Sequence, residues 1–353
     1  MIPSRRQGAK VTIRDVARES GVSIQTVSRV LNNRPDVSTQ TRQRVQDTIN
    51  RLDFHPSALA RSLIQQRSHL LGVVIADLKY VGISLTLNGI IEKAEACGYT
   101  ILVKELSRFN PYGLRPALRS LLAHEVHGII HAVPEWGENW KHIQPQLPDD
   151  GPPLVFLKCR PHALFPTLAV DNYTGAQLVT QHLLEHGRRR IAFISGPLEW
   201  WEAAQRKKGW ADALESADLP VLDRQWSIGN WSTPGGESAF HVVLENYPQM
   251  DAVFAANDQM ALAVLHVARQ KGIRVPEDLA VVGFDDLPES AYFNPPLTTV
   301  RQSLRTLGHQ AVVKLLQLAG DPIQLAQPEL PQTIVLQPEL IVRSSSIIHP
   351  NPI

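Results

Sequence analysis

From residue 70 onward the chain alternates short apolar runs with amphipathic stretches, and a parallel sheet with helices on both faces is the direct way to bury that pattern. The apolar runs lie at residues 70–76, 99–103, 127–132 and 154–157. Between the first two, residues 83–97 put Leu87, Ile90, Ile91 and Ala94 on one helical side and stop at Gly98; Pro116 stands where the first turn of a further helix tolerates it. Near residues 165–170 the pattern restarts as a second unit. Strands are expected at 191–195, 252–256 and 279–284, with helices at 174–186, 202–216, 236–245 and 259–271. A helix over 304–319 and strands around 333–342 exceed what the second half needs. At 353 residues and 43% hydrophobic content the chain can bury more than one core.

Ahead of that alternation, residues 12–31, TIRDVARESGVSIQTVSRVL, read as two short helices meeting at a tight turn. Thr12 caps the first, with Asp15 as the acidic partner three residues on, and Val16 and Ala17 supply its apolar inner face. Gly21 and Val22 break it. Ser23 caps the second, whose Val27, Val30 and Leu31 recur at the spacing that packs one side on the first helix. The free side carries Ile24, Gln25, Ser28, Arg29 and Asn32, with Thr26 beside them: side chains that suit base edges and phosphates in a major groove. A third helix fits residues 38–52, capped by Ser38, with Thr41, Val45, Ile49 and Leu52 on one stripe. Residues 56–63, PSALARSL, are capped but too short to hold a helix alone in water, so a partner surface must order them. There Ser57, Ala60 and Arg61 precede Leu63, an apolar side chain with no evident core, of the kind minor-groove binders insert between base steps.

Charge follows the same division. Residues 1–70 hold twelve Lys and Arg against five Asp and Glu, whereas residues 71–353 hold 23 against 29. The basic excess coincides with the paired helices, which is the footprint of a phosphate-binding surface, and Arg5, Arg6 and Lys10 add an arm before it. The two cysteines, Cys97 and Cys159, make no disulfide framework. No apolar run near the start reads as a signal peptide or membrane span, so a cytoplasmic protein without a membrane partner is expected.

Residues 182–186, HLLEH, match an H-x-x-E-H zinc pattern, but they close a helix that stops at Gly187 and no third ligand is evident. No dinucleotide glycine fingerprint, P-loop or G-x-S-x-G elbow occurs. No catalytic residue, metal or cofactor is therefore assigned.

Residues 12–31, 42–55 and 56–63 resemble the DNA-binding head and hinge of the lactose-repressor/galactose-repressor (LacI/GalR) transcription regulators. LLGVVIADL at 70–78, HLLEHGRRRIAFISGPL at 182–198, FAANDQMALAVL at 254–265 and VPEDLAVVGFDDLPESAYFNPPLTTV at 275–300 resemble the effector domain of the same family. The resemblance implies an α/β protein: a three-helix helix-turn-helix head over 1–55, a hinge helix and linker over 56–67, and a two-lobed, periplasmic-binding-protein-like body of doubly wound parallel sheets over 68–353. Its first lobe would take about 70–164 and 298–327, and its second about 165–297 and 328–346. It further implies a ligand-responsive repressor, homodimeric on a near-palindromic operator in double-stranded DNA. The last residues lack heptads, so the extra tetramer-forming helix of some relatives is not expected.

In such sheets ligands sit beyond the carboxyl ends of the strands, where Asp77, His131, Asn257 and Asp285 fall, with Arg206 one turn into a following helix and Trp231 ending SIGNW. By resemblance Arg206, Trp231, Asn257 and Asp285 match effector-holding positions. Carboxylate, amide, guanidinium and indole together suit a sugar or other polyol. Two departures bear on that class. Val81 to Ser84 stand where many relatives carry an aromatic pair, and Leu157, Lys158, Cys159 and Arg160 stand where many carry an acid, which favours an acidic ligand. The rival readings are a hydrolase on the same sheet and a sugar-binding protein without DNA activity.

Overall fold

A computed structural model of the chain describes residues 11–31, 34–54, 68–107, 113–137, 139–143, 146 and 151–347. The chain divides between residues 69 and 70 into two compact units.

The described residues of the first unit form three helices, α1 (Ile13–Ser20), α2 (Ile24–Leu31) and α3 (Thr39–Leu52). The carboxylate of Asp15 accepts from the Thr12 backbone N–H at 3.0 Å and from the Thr12 hydroxyl at 2.8 Å, which fixes the start of α1. Ser23 caps α2 by accepting the Thr26 N–H at 3.1 Å, and Ser38 does the same for Thr41 at 3.3 Å on α3. Their inner stripes meet in one core of Val16, Ala17, Val27, Val30, Val45, Ile49 and Phe54. Phe54 lies beyond the α3 stripe read from the sequence and closes that core from below.

The second unit holds two parallel sheets. Into the first go β1 (Leu70–Ala76), β2 (Thr100–Leu106), β3 (Gly128–His131), β4 (Leu154–Leu157) and β5 (Thr167–Val170), with α4 (Val81–Ala96), α5 (Leu114–Leu122) and the short α6 (Asn139–Ile143) along the connections. Then follow α7 (Asn172–Glu185), β6 (Ile191–Ser195), α8 (Trp201–Glu215), β7 (Trp226–Ile228), α9 (Thr233–Asn246), β8 (Ala252–Ala255), α10 (Asp258–Gln270), β9 (Ala280–Val282) and β10 (Thr299–Arg301). The chain ends its described part with α11 (Leu304–Leu318), α12 (Pro322–Leu325), β11 (Thr333–Leu336) and β12 (Glu339–Ile341). The first sheet runs β11-β5-β4-β3-β1-β2 and the second β7-β6-β8-β9, while β10 and β12 pair antiparallel. LLGVVIA in β1 is buried from its second residue on, as a central parallel strand covered on both faces must be.

One lobe assignment changes. The restart expected at residue 165 supplies β5, and β11 falls in the stretch expected for the second lobe, yet both belong to the first sheet, where they pair in parallel register from Thr333 opposite Thr167. A four-residue apolar run carries no mark of which parallel sheet it will join, so sequence periodicity could not decide this. The chain therefore passes between the sheets after β5, again between β10 and α11, and last between β11 and β12. The returning α11 lies against α4 so closely that a Cβ at Gly89 would collide with the Arg305 carbonyl, and one at Gly308 with the Thr86 carbonyl. Only glycine permits that approach of two helix backbones.

Candidate functional site

On the first unit, the outer side of α2 presents Ile24, 46% exposed, with Gln25 and Arg29 exposed and Thr26 and Ser28 half-buried. Val27 and Val30 face inward. Thr12 and Ser23 serve as caps, and Arg29 reaches Asp36 at 3.4 Å in an exposed pair, which a phosphate can displace at little cost. A short helix with amide, hydroxyl and guanidinium groups on one bare side, braced by two others, has the shape and chemistry to enter a major groove. Asn32, Ser57, Ala60, Arg61 and Leu63 lie outside the described residues.

On the second unit, a cleft opens where the strand ends of both sheets face each other. The first sheet contributes Tyr80 to Ile83 after β1, Pro134 after β3 and Lys158 after β4; the other side contributes Trp200, Glu202 and Arg206 around the start of α8, Trp231 after β7, Asn257 after β8, Asp285 after β9 and Gln302 after β10. This is the place a doubly wound sheet offers a ligand. Three of these residues hold positive φ without being glycine: Lys158 at 58°, Trp231 at 68° and Asp285 at 121°. Strain of that kind persists only where the surroundings enforce it, and here it aims three strand-end side chains into one space.

Arg206 is the hub. Its Nε donates to Asn172 Oδ1 at 2.7 Å, Nη1 donates to the Ala256 carbonyl, and the guanidinium lies 3.8 Å over the Phe284 ring and 5.3 Å from that of Trp231. Asp285 is 3.7 Å away and accepts from the Gln302 amide at 2.6 Å. Burial raises the Asp285 carboxyl above its ordinary range, with Arg206, Gln302 and Lys158 pulling the other way. Lys158, itself buried, pairs with Glu202 at 3.3 Å. Both cations of the cleft thus stand opposite carboxylates, and the acidic ligand that Lys158 suggested loses its electrostatic reason.

The other expected residues divide. Trp231 lines the cleft, packed edge-on to Trp200 at 5.7 Å, and Asn257 lines it too. The Asn257 side chain is largely committed to structure, its amide donating to the Trp231 carbonyl at 2.9 Å and its oxygen capping α10 at Met260. Asp77 instead pairs with Lys79 at 2.7 Å and is not among the lining residues. His131 is turned away as well: it faces a separate cavity, because successive residues of a strand point to opposite faces and only the last loop residues reach the cleft. Reading strand ends by position alone could not tell these directions apart.

Sequence reasoning missed Glu202 and Gln302. Gln302 sits on a chain crossing invisible in periodicity, and Glu202 is one more acid at a helix start. Tyr80 brings an aromatic ring to the cleft just before residues 81–84, 5.1 Å from Trp200, so the missing aromatic pair is partly made good. Two buried polar atoms of cleft residues, Trp231 Nε1 and Gln302 Oε1, have no hydrogen-bond partner among the described residues. In the zinc-like stretch, His182 Nε2 meets Ser346 Oγ at 2.8 Å and His186 Nδ1 meets the His182 carbonyl at 2.8 Å; among the described residues no group of three or more His, Cys, Asp or Glu could hold a metal ion.

Comparison with known proteins places both units. The family described as "Bacterial regulatory proteins, lacI family" matches residues 12–57, and a "Periplasmic binding protein-like domain" matches residues 180–346. The chain is 31% identical to the lactose operon repressor of Escherichia coli K12 over 96% of its own length and 93% of the relative's. It is 33% identical to catabolite control protein A of Priestia megaterium, over 86% and 90% of the two chains. Among solved structures, a lac repressor dimer bound to operator and the anti-inducer ONPF superposes with a TM-score of 0.83 at 30% identity, covering 96% of this chain and all of the other. A complex of the transcriptional regulator CelR with cellobiose gives 0.68 at 30% identity, covering 95% and 100%.

Proposed function

The chain belongs to the lacI family of bacterial regulatory proteins, and on that premise we propose a ligand-responsive transcriptional repressor that grips a near-palindromic operator as a homodimer and holds a neutral polyol, a sugar or sugar derivative, between its two sheets. One observation carries the effector class. The two cations lining the cleft already stand against the carboxylates of Glu202 and Asp285, while Asn257, Gln259 and Gln302 bring neutral polar side chains and Trp200 and Trp231 bring indole rings. Hydroxyl groups donate and accept together, so a polyol meets amides and charged groups alike without adding charge, and the indole faces cover the C–H side of a ring. The cellobiose of one neighbour and the ONPF of another are in keeping with that chemistry.

Gln25 and Arg29 would read bases from the major groove, with Ile24, Ser28 and Asn32 around them, while Ser57 to Leu63 would order on the minor groove at the operator centre. The effector acts by changing the relation of the two sheets and hence the spacing of the heads. The relatives are named as regulators rather than enzymes. No helix among the described residues is long and apolar enough to cross a membrane, and work on an operator assigns the protein to the cytoplasm.

Two measurements test this reading. The purified protein should retard a duplex library, select a two-fold symmetric site from it, and lose affinity steeply as salt rises. A thermal-shift panel of sugars, sugar acids and nucleosides should pick out neutral polyols, a ligand at a hundred times its Kd adding about 2.7 kcal/mol. Turnover of a sugar with no duplex retardation would overturn it in favour of the hydrolase.

A further inference from the structure

Lys158 and Glu202 meet across the cleft from opposite lobes. Lys158 follows β4 of the first sheet at a positive φ of 58°, and Glu202 stands in the first turn of α8, after β6 of the second. Their side chains are 4% and 7% exposed, and Lys158 Nζ donates to Glu202 Oε1 at 3.3 Å. The start of α8 is tied to the first lobe as well, the Trp201 N–H donating to the Glu135 carbonyl at 3.0 Å, and its N-terminal dipole favours an anion at Glu202. The ammonium lies beside Gly82 of the cleft wall, where a Cβ would stand 3.5 Å from Nζ. The two ion pairs of the cleft differ in how they are held. Arg206 has Asn172, the Ala256 carbonyl and the Phe284 ring besides Asp285. Among the described residues, Lys158 Nζ and the Glu202 carboxylate have only each other as hydrogen-bond partners.

We propose that Glu202 sets the charge class of the effector: by holding Lys158 it denies the ammonium to a ligand carboxylate, and Lys158 in turn denies the Glu202 carboxylate to a ligand ammonium. The inference rests on the polyol reading above and sharpens it, since the same scaffold with either partner removed becomes a site for a charged sugar. A buried ion pair contributes little net stability over apolar side chains of the same size, so stability is a weak reason for placing one in a ligand cleft. Removing one partner strands the other charge out of water, and a ligand of the missing sign then takes the vacated place. Arg206 offers no such exchange, because its own contacts fix it whatever the ligand carries. With both partners present, a sugar acid would meet Glu202 and Asp285, and an amino sugar would meet Lys158 and Arg206, each beside its like charge. A hydroxyl suits all four.

Calorimetric titration of the full-length protein with glucose, glucuronate and glucosamine, and with galactose, galacturonate and galactosamine, separates charge class from shape. The parent should prefer the neutral member of a set. Glu202→Ala should shift that preference towards the uronate by about tenfold or more, the scale of one charged hydrogen bond, and Lys158→Ala should shift it towards the amine by as much. The variant carrying both changes should return to the neutral sugar, which loss of packing alone would not produce. If Glu202→Ala does not fold, Glu202→Gln keeps the side-chain shape and makes the same comparison. A parent that binds the neutral sugar, while either single variant keeps the parent's preference, overturns this inference alone. A parent that binds no neutral member, or prefers a charged one, overturns the sugar reading above and this inference with it.

Discussion

Asp285 holds its carboxylate 3.7 Å from the Arg206 guanidinium while spending a shorter bond, 2.6 Å, on Gln302. The ion pair is therefore not closed, and a ligand hydroxyl can bridge the two groups. Asp285→Ala should lower effector affinity by about 1 to 3 kcal/mol, the cost of a buried polar contact left without its partner, while operator retardation persists. Calorimetry with the polyol found by screening, run beside a mobility-shift assay, checks both halves. Unchanged affinity would move the effector away from this carboxylate.

Gly196 follows β6 directly beneath Trp231, and a methyl group there would run into the indole. Gly196→Ala is expected to push the ring out of the cleft, destabilising the body by about 1 to 3 kcal/mol through overpacking and weakening the polyol more than the operator. Denaturation followed by tryptophan fluorescence, with a ligand titration, measures the two effects. A variant with native affinity would mean that the indole covers no part of the ligand.

Asp258 at the start of α10 is buried and accepts from the Leu287 N–H at 2.8 Å, the Ser290 hydroxyl at 2.6 Å and the Thr299 hydroxyl at 2.5 Å. Burial, with the nearby Asp285 charge adding to it, raises its pKa from 3.8 to about 7. Between those values the folded chain keeps a proton that the unfolded chain has lost. The stability this group contributes is thus full below the unfolded value and declines as pH rises to about 7, by at most about 1.4 kcal/mol per unit. Asp258→Asn should flatten that part of the stability profile relative to the parent in urea unfolding from pH 5 to 8. Parallel profiles would show that Asp258 is already ionised across the range.

For the head, Gln25→Ala and Arg29→Ala are expected to cost about 1 to 3 kcal/mol each at the preferred operator and less at mismatched sites, so that base preference relaxes. Competition binding against single-base operator variants reads this. Uniform weakening across all sequences would reassign both side chains to phosphates.

Local signals in the sequence located the head well, because caps and apolar spacing act within a few residues: Thr12, Ser23 and Ser38 cap where their positions foretell. Strands such as β1 were equally plain, being unbroken apolar runs. What escaped was decided between distant segments. The sheet that β5 and β11 join, the direction in which His131 and Asp77 point, and the arrival of Gln302 and Glu202 in the cleft all depend on crossings of the chain. Periodicity records which face of an element is apolar and is silent on what that face meets.

The seating of α11 against α4 through Gly89 and Gly308, and of β11 on the edge beside β5, bears on how the protein is made. The first sheet begins at Leu70, yet its last strand ends at Leu336. On the ribosome the segments translated first must wait for the segments translated nearly last, while β6 to β9 are already together. A nascent chain arrested after residue 303 should thus resist protease across residues 191–282 and be cut across residues 81–96, where the glycine-lined side of α4 stands open to solvent and to chaperones.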